Sequence, residues 1–164
     1  MNRERMLLML KKVVELRELK EILQSKVDKE IVFTNGCFDI LHVGHVRYLQ
    51  AAKVKGDLLV VGLNSDSSVK KLKGKKRPIV PEKERAEMLA ALEVIDYVVI
   101  FDELTAKGVI GKLQPDIYVK GGDYQVEELP EAEVVYKYGG KIELVKEVKG
   151  ASTTNIVKEI SKRY

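Results

Sequence analysis

Residues 30–55 read EIVFTNGCFDILHVGHVRYLQAAKVK, and this stretch predicts the fold of the whole chain. A β-prone run over residues 30–34 ends at Asn35-Gly36, and a helix-prone stretch runs from about Gly44 to Lys55. A short apolar strand that leads through a glycine turn into a helix is the repeating unit of parallel α/β sheets. Polar residues fill the connection, at the edge of the sheet where such folds bind their ligands.

The alternation of strand and helix continues to the end of the chain. Strands are predicted at residues 58–63, 97–101, 117–119 and 141–145, and helices at 81–93, 105–113, 127–138 and 152–162. The strands are short, apolar and rich in β-branched residues, which is typical of strands buried on both sides. We therefore predict an α/β fold with a Rossmann-like five-stranded parallel sheet and helices on both faces. The basic segment 70–77 and Pro78 are predicted to form a loop.

Length and composition indicate one globular domain. The chain has 164 residues, of which 45% are hydrophobic and 33% are charged, and a chain of this size can bury a core without disulfides. We predict a single domain over residues 1–164, with an N-terminal helical extension over 1–28 and a core over 29–164. The single cysteine, Cys37, excludes an internal disulfide framework and a cysteine-built zinc site, and we interpret it as a packing residue.

The N-terminal part predicts neither a membrane span nor a secretory signal. No apolar run approaches the roughly 18 residues that a span needs, and residues 1–12 carry too much charge for a signal peptide. A cytoplasmic location without membrane contact is expected. Residues 2–25 are helix-prone with a break near Val13-Val14, and their apolar stripe, which includes Met6 and Leu10, predicts either a cover for the sheet or the interface of a homodimer.

The charge of the chain is concentrated in one place. The net charge is +4, and the segment KKLKGKKR at residues 70–77 holds six basic residues and no acidic one. The remainder of the chain is slightly acidic, which argues against a broad nucleic-acid-binding surface, and the segment lacks interleaved aromatic residues. A solvated charged face is one interpretation. We favour a segment that closes over a phosphorylated substrate, with Gly74 as its hinge.

Both histidines of the chain lie in the connection that follows the first strand. His42 and His45 are three residues apart at the start of the predicted helix, so they share one face of its first turn. The N-terminus of a helix attracts phosphate, and Gly44 lets a nucleotide approach the backbone closely. One alternative is that the two histidines occur together at the start of a helix by chance. A metal site is a second alternative, but the sequence nearby offers no third ligand. The pattern favours a phosphate site in which the imidazoles donate hydrogen bonds to developing negative charge.

At this point the sequence resembles a known superfamily. TNGCFDILHVGH at residues 34–45 is similar to the signature of the HxGH nucleotidyltransferases, and STTNIVK at 152–158 is similar to their second signature. Residues 64–93, 115–124 and 152–160 resemble one branch, the D-glycero-β-D-manno-heptose 1-phosphate adenylyltransferases. The resemblance covers about residues 30–162. It implies transfer of AMP from ATP, with Mg²⁺, to a sugar 1-phosphate, giving ADP-heptose for lipopolysaccharide core synthesis and releasing pyrophosphate.

The resemblance also implies roles for individual residues. His42 and His45 would contact the triphosphate and stabilise the transition state, and Lys73 would reach the phosphates from a mobile loop. Arg85 would bind phosphate, although it could be a surface arginine paired with Glu82 or Glu84. No protein ligand for a metal is implied. The residues implied in nucleotide binding are Thr34, Asn35, Gly36, Phe38, Asp39, Gly44, Arg85, Gly122, Asp123, Ser152, Thr153 and Thr154.

Several alternatives stay open. Glycerol-3-phosphate cytidylyltransferases, which use CTP, share both signatures but carry an arginine just before the second one, where residues 147–151 have none. That difference favours ATP and the heptose branch. Flavin adenylylation is a more distant enzymatic alternative, and an RNA-binding module or a degenerate nucleotide sensor would be non-enzymatic. The residues before the resemblance are too few for the kinase half of a bifunctional relative, so a stand-alone form with ATP and a sugar phosphate as its partners is expected.

Overall fold

Five parallel strands form the sheet of this protein, whose computed structural model describes residues 11–122, 125–146 and 152–163. The strands lie in the spatial order β3-β2-β1-β4-β5, and each neighbouring pair is parallel. The predicted five-stranded parallel sheet is therefore confirmed. The strands are β1 (Ile31–Gly36), β2 (Leu58–Asn64), β3 (Tyr97–Phe101), β4 (Ile117–Gly121) and β5 (Lys141–Val145).

Helices follow the strands, as expected for parallel connections. The described helices are α1 (Leu16–Gln24), α2 (Val43–Lys53), α3 (Asp66–Lys73), α4 (Glu82–Ala90), α5 (Lys107–Leu113), α6 (Ala132–Lys137) and α7 (Thr153–Arg163), with a 3₁₀ turn at Val126–Glu128. Among the described residues, no helix is long and apolar enough to cross a membrane.

Both faces of the sheet are buried, because successive side chains of a strand point to opposite sides. On one face, Phe33, Tyr118 and their neighbours pack with residues of α1, α5 and α6. On the other face, Val32, Val119 and their neighbours pack with residues of α2 and α4. We call these the α5/α6 face and the α2/α4 face. Helices on both faces were predicted, and the two clusters confirm them.

The sheet opens between β1 and β4. These strands pair at only two positions, Val32 with Ile117 and Phe33 with Tyr118, whereas β1 and β2 pair at six. Strand order also reverses there, because the chain passes from β1 to β2 on one side and to β4 on the other. Ligands of such sheets bind in the crevice at the carboxyl ends of the strands at this reversal. The crevice is therefore the place to look for a site.

Some predicted elements differ from those observed. Residues 70–73 of the basic segment belong to α3 and not to a loop, because the Ser65 side chain caps that helix and Val69 is buried beneath it. The helix predicted at 127–138 is divided into the 3₁₀ turn and α6, with Pro130 between them. The helix predicted at 105–113 begins two residues later, because Ala106 is the N-cap of α5. The break near Val13-Val14 is confirmed by a bridge from Val13 to Val98 in β3, while Met6 and Leu10 lie outside the described residues.

Candidate active site

A cleft of about 710 Å³ lies at the carboxyl ends of the strands, over the opening between β1 and β4. It is lined by residues that follow each of the inner strands and by the start of α7. The predicted site residues that line it are Asn35, Gly36, Phe38, Asp39, His42, Gly44, His45, Lys73, Ser152, Thr153 and Thr154. The fold thus brings together residues that are more than 100 positions apart in the sequence.

The two histidines form a stacked pair at the N-terminus of α2. Their ring centroids are 3.8 Å apart, and the ring of Phe38 meets His45 edge-on at 5.2 Å. Burial and the neighbouring His42 lower the pKa of His45 to about 4, so its ring is neutral at pH 7. Among the described residues, the buried Nδ1 of His45 has no hydrogen-bond partner. The helix begins beside these rings, so its first-turn N–H groups face the same region.

The loop from Cys37 to Asp39 is held in one conformation. Its left-handed residue is Phe38, with φ of 44°, while Gly36 is the last residue of β1. The carboxylate of Asp39 accepts hydrogen bonds from the N–H groups of Ile79 and Val80 at 2.7 and 3.0 Å and pairs with Arg77. Burial alone would raise the pKa of Asp39, but these bonds hold it below its usual value. Asp39 therefore fastens the segment after α3 to the histidine loop.

The N-terminus of α7 faces the histidine loop. The Ser152 hydroxyl accepts a hydrogen bond from the N–H of Asn155 at 3.1 Å and so caps the helix. The Thr153 hydroxyl donates to the carbonyl of Ile40 at 3.2 Å, which ties α7 directly to the loop. Ser152 and Thr153 are partly buried and Thr154 is exposed. The cleft therefore has helix N-termini on two of its sides, an arrangement that suits a polyphosphate.

Arg85 is not part of the cleft surface. Its side chain is 0% exposed, and its guanidinium donates to the carbonyls of Val80, Cys37 and Asn64 and to the Asp66 carboxylate. These contacts join α4 to the ends of β1 and β2. The surface pairing with Glu82 or Glu84 is wrong, because Arg85 forms its ion pair with Asp66. Four of its five N–H groups are used beneath the cleft, and the phosphate role that the resemblance implied stays a prediction.

The remaining predicted residues lie at or behind the margin of the cleft. Thr34 is fully buried and its hydroxyl is hydrogen-bonded to the Tyr48 hydroxyl, behind the cleft wall. Lys73 is the last residue of α3, before Gly74, whose φ of 95° ends the helix. Gly122 donates its N–H to the carbonyl of Val145 at 3.2 Å and links the ends of β4 and β5. Asp123, assigned beside the nucleoside, lies outside the described residues.

The structure adds lining residues that sequence reasoning missed. Tyr48 donates its hydroxyl to the carbonyl of Val119 at 3.0 Å, across the opening of the sheet, and Gly121 leaves room for its ring, since a Cβ there would lie 2.9 Å from Tyr48 Cε2. Lys120 and Glu131 line the cleft beside β4. A lysine before two glycines at the end of a predicted strand was the available signal for Lys120.

The low pKa of His45 predicts an acid-dependent loss of stability. The unfolded chain has the ordinary pKa of 6.5 and the folded chain about 4, so the unfolded state binds more protons between these values and stability falls as pH falls through that window. We expect the melting temperature of the wild type to drop by roughly 2–4 °C more than that of His45→Gln between pH 7 and pH 5. Parallel slopes in differential scanning fluorimetry would contradict the assignment.

Comparison with known proteins gives the chain its relatives. A model of the cytidylyltransferase-like family matches residues 33–159. Bifunctional protein HldE of Syntrophotalea carbinolica is 55% identical over 154 residues, which cover 92% of this chain and 31% of that protein. HldE of Geobacter metallireducens is 61% identical over 136 residues, covering 83% of this chain and 28% of that protein. The chain thus spans about 30% of the length of these curated relatives.

Solved structures agree with the fold. A lipopolysaccharide core biosynthesis protein from Thermoplasma volcanium is 32% identical, with a TM-score of 0.60, and the match covers 75% of this chain and 99% of that one. Pantoate-beta-alanine ligase from Francisella tularensis, solved with an ATP ligand and beta-alanine, has a TM-score of 0.59 at 13% identity over 92% of this chain and 76% of that one. The second likeness concerns the fold alone.

Proposed function

The chain belongs to the cytidylyltransferase-like family of nucleotidyltransferases, and from this membership we propose that it transfers AMP from ATP to D-glycero-β-D-manno-heptose 1-phosphate. The products would be ADP-heptose and pyrophosphate. The observation that carries the proposal is the stacked His42–His45 pair, which lines one cleft together with the N-terminus of α7. The identity of 55% to HldE, of which this chain matches about a third, supports the acceptor.

The reaction is a direct displacement at phosphorus. An oxygen of the acceptor phosphate attacks the α-phosphorus of ATP and forms the new P–O bond, while the bond from the α-phosphorus to the bridging oxygen of the β-phosphate breaks and its electron pair leaves with pyrophosphate. The acceptor oxygen is already anionic, so no side chain has to remove a proton from it. The chain has to align two polyanions and stabilise the charge that develops.

The histidines and the helix N-termini supply that stabilisation. His45 is neutral at pH 7 without bound phosphate, and an incoming triphosphate favours its protonated form because opposite charge raises the pKa of an imidazole. His42, stacked on it, lines the same cleft and is placed to bind the same phosphates. The hydroxyls of Ser152 and Thr153 and the first-turn N–H groups of α7, which contacts the histidine loop through Thr153, provide further donors in the same cleft.

We propose that Mg²⁺ enters together with ATP. Mg²⁺ prefers oxygen ligands and commonly stays on the phosphates with several waters. Within residues 11–122, 125–146 and 152–163 no group of three metal-ligating side chains comes together, and the carboxylate of Asp39 is already bound by Arg77 and two N–H groups. When bound, the ion would supply neutralisation of phosphate charge, and the proposal assigns no side chain of the described residues as its ligand.

The acceptor and the nucleotide are tested together by a crossed assay. We expect pyrophosphate release with Mg²⁺ when ATP is combined with the heptose 1-phosphate, and at least about tenfold less when CTP replaces ATP or glycerol 3-phosphate replaces the sugar. A coupled pyrophosphate assay measures all four combinations. Release with CTP and glycerol 3-phosphate alone would establish the cytidylyltransferase alternative, which the relatives do not favour. No release in any combination would reject both acceptors.

Other parts of the proposal concern partners and location. A cytoplasmic enzyme without nucleic-acid or membrane partners agrees with one basic segment in an otherwise slightly acidic chain. The homodimer through residues 1–28 and the single-domain organisation over 1–164 stay predictions. Size-exclusion chromatography with light scattering tests the first, and limited proteolysis tests the second.

A further inference from the structure

Lys120 is a partly buried cation that the mechanism above does not use. Its Nζ donates to Oδ1 of Asn35 at 3.3 Å, a long bond to a neutral amide, and lies 6.0 Å from the centre of the Tyr118 ring. No carboxylate of the described residues lies within 4.0 Å of it as an ion-pair partner. Burial lowers the pKa of Lys120, and the more distant charges of Glu131 and Cys37 act in the opposite direction. A cation in this state is stabilised by an arriving anion.

The position of Lys120 separates it from the histidines. Along β4, Ile117 and Val119 pack on the α2/α4 face, and Tyr118 packs on the α5/α6 face. Side chains alternate along a strand, so Lys120 leaves the sheet on the α5/α6 face. Asn35 lies two residues after Phe33, which packs on the α5/α6 face. The side chain of Asn35 therefore leaves the sheet on that face too. The histidines belong to α2, on the other face.

The cleft therefore has two ends with different donors. At one end are His42, His45 and the N-terminus of α7. On the α5/α6 side, Lys120 lines the cleft together with residues from the β3–α5 and β4–α6 connections, among them Thr105 and Glu131. The Glu131 carboxylate is buried and accepts the N–H of Ala106 at 3.0 Å, which fixes this wall in place. In an in-line displacement at phosphorus the acceptor anion enters on one side of the reacting atom, and pyrophosphate leaves from the other side.

We propose that Lys120 binds the phosphate of the acceptor, on the α5/α6 face of the cleft, while the histidines and α7 bind the phosphates of the nucleotide. This rests on the proposed function, because it takes the acceptor to be a phosphate monoester. Asn35 acts as a positioning residue that holds the ammonium toward the cleft. Lys73 is an exposed residue at the end of α3, and in this proposal it binds the phosphates of the nucleotide.

Kinetics with both substrates varied test the assignment. We expect Lys120→Met to raise KM for the sugar phosphate roughly 10- to 100-fold, as for a lost charged hydrogen bond, and to leave KM for ATP within about twofold. Lys120→Arg should recover part of the loss, since it keeps the charge. The matched control is Lys107→Met, an exposed lysine at the start of α5, which should change neither constant. A rise in KM for ATP with an unchanged KM for the sugar phosphate would overturn the proposal.

A binding measurement separates this proposal from the proposed function. Reductive methylation with ¹³C-formaldehyde gives each lysine an NMR resonance, and Lys120→Arg identifies the one that belongs to Lys120. We expect that resonance to shift when inorganic phosphate is added to protein saturated with α,β-methylene ATP, and not when the nucleotide analogue is added alone. A shift with the analogue alone, or none with phosphate, would overturn the proposal. If the phosphate shift is seen but heptose 1-phosphate gives no turnover, only the assigned acceptor fails.

Discussion

Replacing His45 with alanine is expected to lower the turnover number about a hundred- to a thousandfold, which is the usual effect of removing one donor from a developing phosphate or oxyanion charge. The imidazole stands at the start of α2, stacked 3.8 Å from His42. Its buried Nδ1 has no hydrogen-bond partner among the described residues, so the substitution breaks no bond there that holds the fold together. The melting temperature should therefore change by only about 3 °C or less.

The comparison of activity with folding decides between a catalytic and a structural role. His45→Asn keeps a side-chain N–H donor near the position of Nδ1 and should recover part of the lost turnover. Stopped-flow pyrophosphate release and thermal melts on the same preparations give both quantities. If turnover and the folded fraction fall together in His45→Ala, the ring serves packing against Phe38 and the catalytic assignment fails.

Replacing Arg85 with alanine is expected to have the largest effect on stability. The guanidinium is fully buried and donates to three carbonyls and one carboxylate. Removing it leaves those acceptors without their partner, and the loss of one member of such a buried charged network costs about 3–5 kcal/mol in the free energy of unfolding. For a domain of this size the melting temperature should fall by roughly 6–20 °C.

Two further variants test whether the loss of stability is specific to the buried Arg85 or follows from the removal of any arginine. Arg17→Ala removes an exposed guanidinium whose only recorded ion pair among the described residues is with Glu21, and it should change the free energy of unfolding by less than about 0.5 kcal/mol. Arg85→Lys keeps the charge but not the fork of donors, so it should recover only part of the loss. A normal melting temperature together with a higher KM for ATP would return Arg85 to the phosphate role that the resemblance implied.

The sheet could be predicted because its evidence is local. Runs such as LLVVGL at residues 58–63 are apolar enough to indicate buried strands by themselves, and Asn35-Gly36 marks the turn that follows β1. The helix α3 was missed for the opposite reason. The density of lysines in its second half outweighed the capping residue Ser65 and the apolar Val69, although both are ordinary signals of a helix.

Only those site residues that belong to short sequence motifs could be predicted from the sequence. His42, His45 and Ser152–Thr154 belong to short signatures, and the structure brings them together at one cleft. Arg85 and Lys120 are different, because their surroundings come from distant parts of the chain. Arg85 contacts the carbonyl of Cys37, 48 residues away, and Lys120 contacts Asn35, 85 residues away. When a charged side chain is buried by residues so far away in the chain, the sequence around it shows no periodic pattern that would predict its burial.

The alternation of side chains along β1 and β4 also bears on how such a protein can change over evolution. Neighbouring positions on one strand serve opposite sides of the sheet, so mutations at Asn35 and Lys120 can alter one side while Thr34 and Val119 keep the packing of the other. Mutations in a few residues on the α5/α6 face could then change which acceptor is bound, while α2 and its histidines stay the same. Under the proposed assignment of Lys120 to the acceptor, Asn35 and Lys120 are the first positions to randomise when a different phosphorylated acceptor is sought.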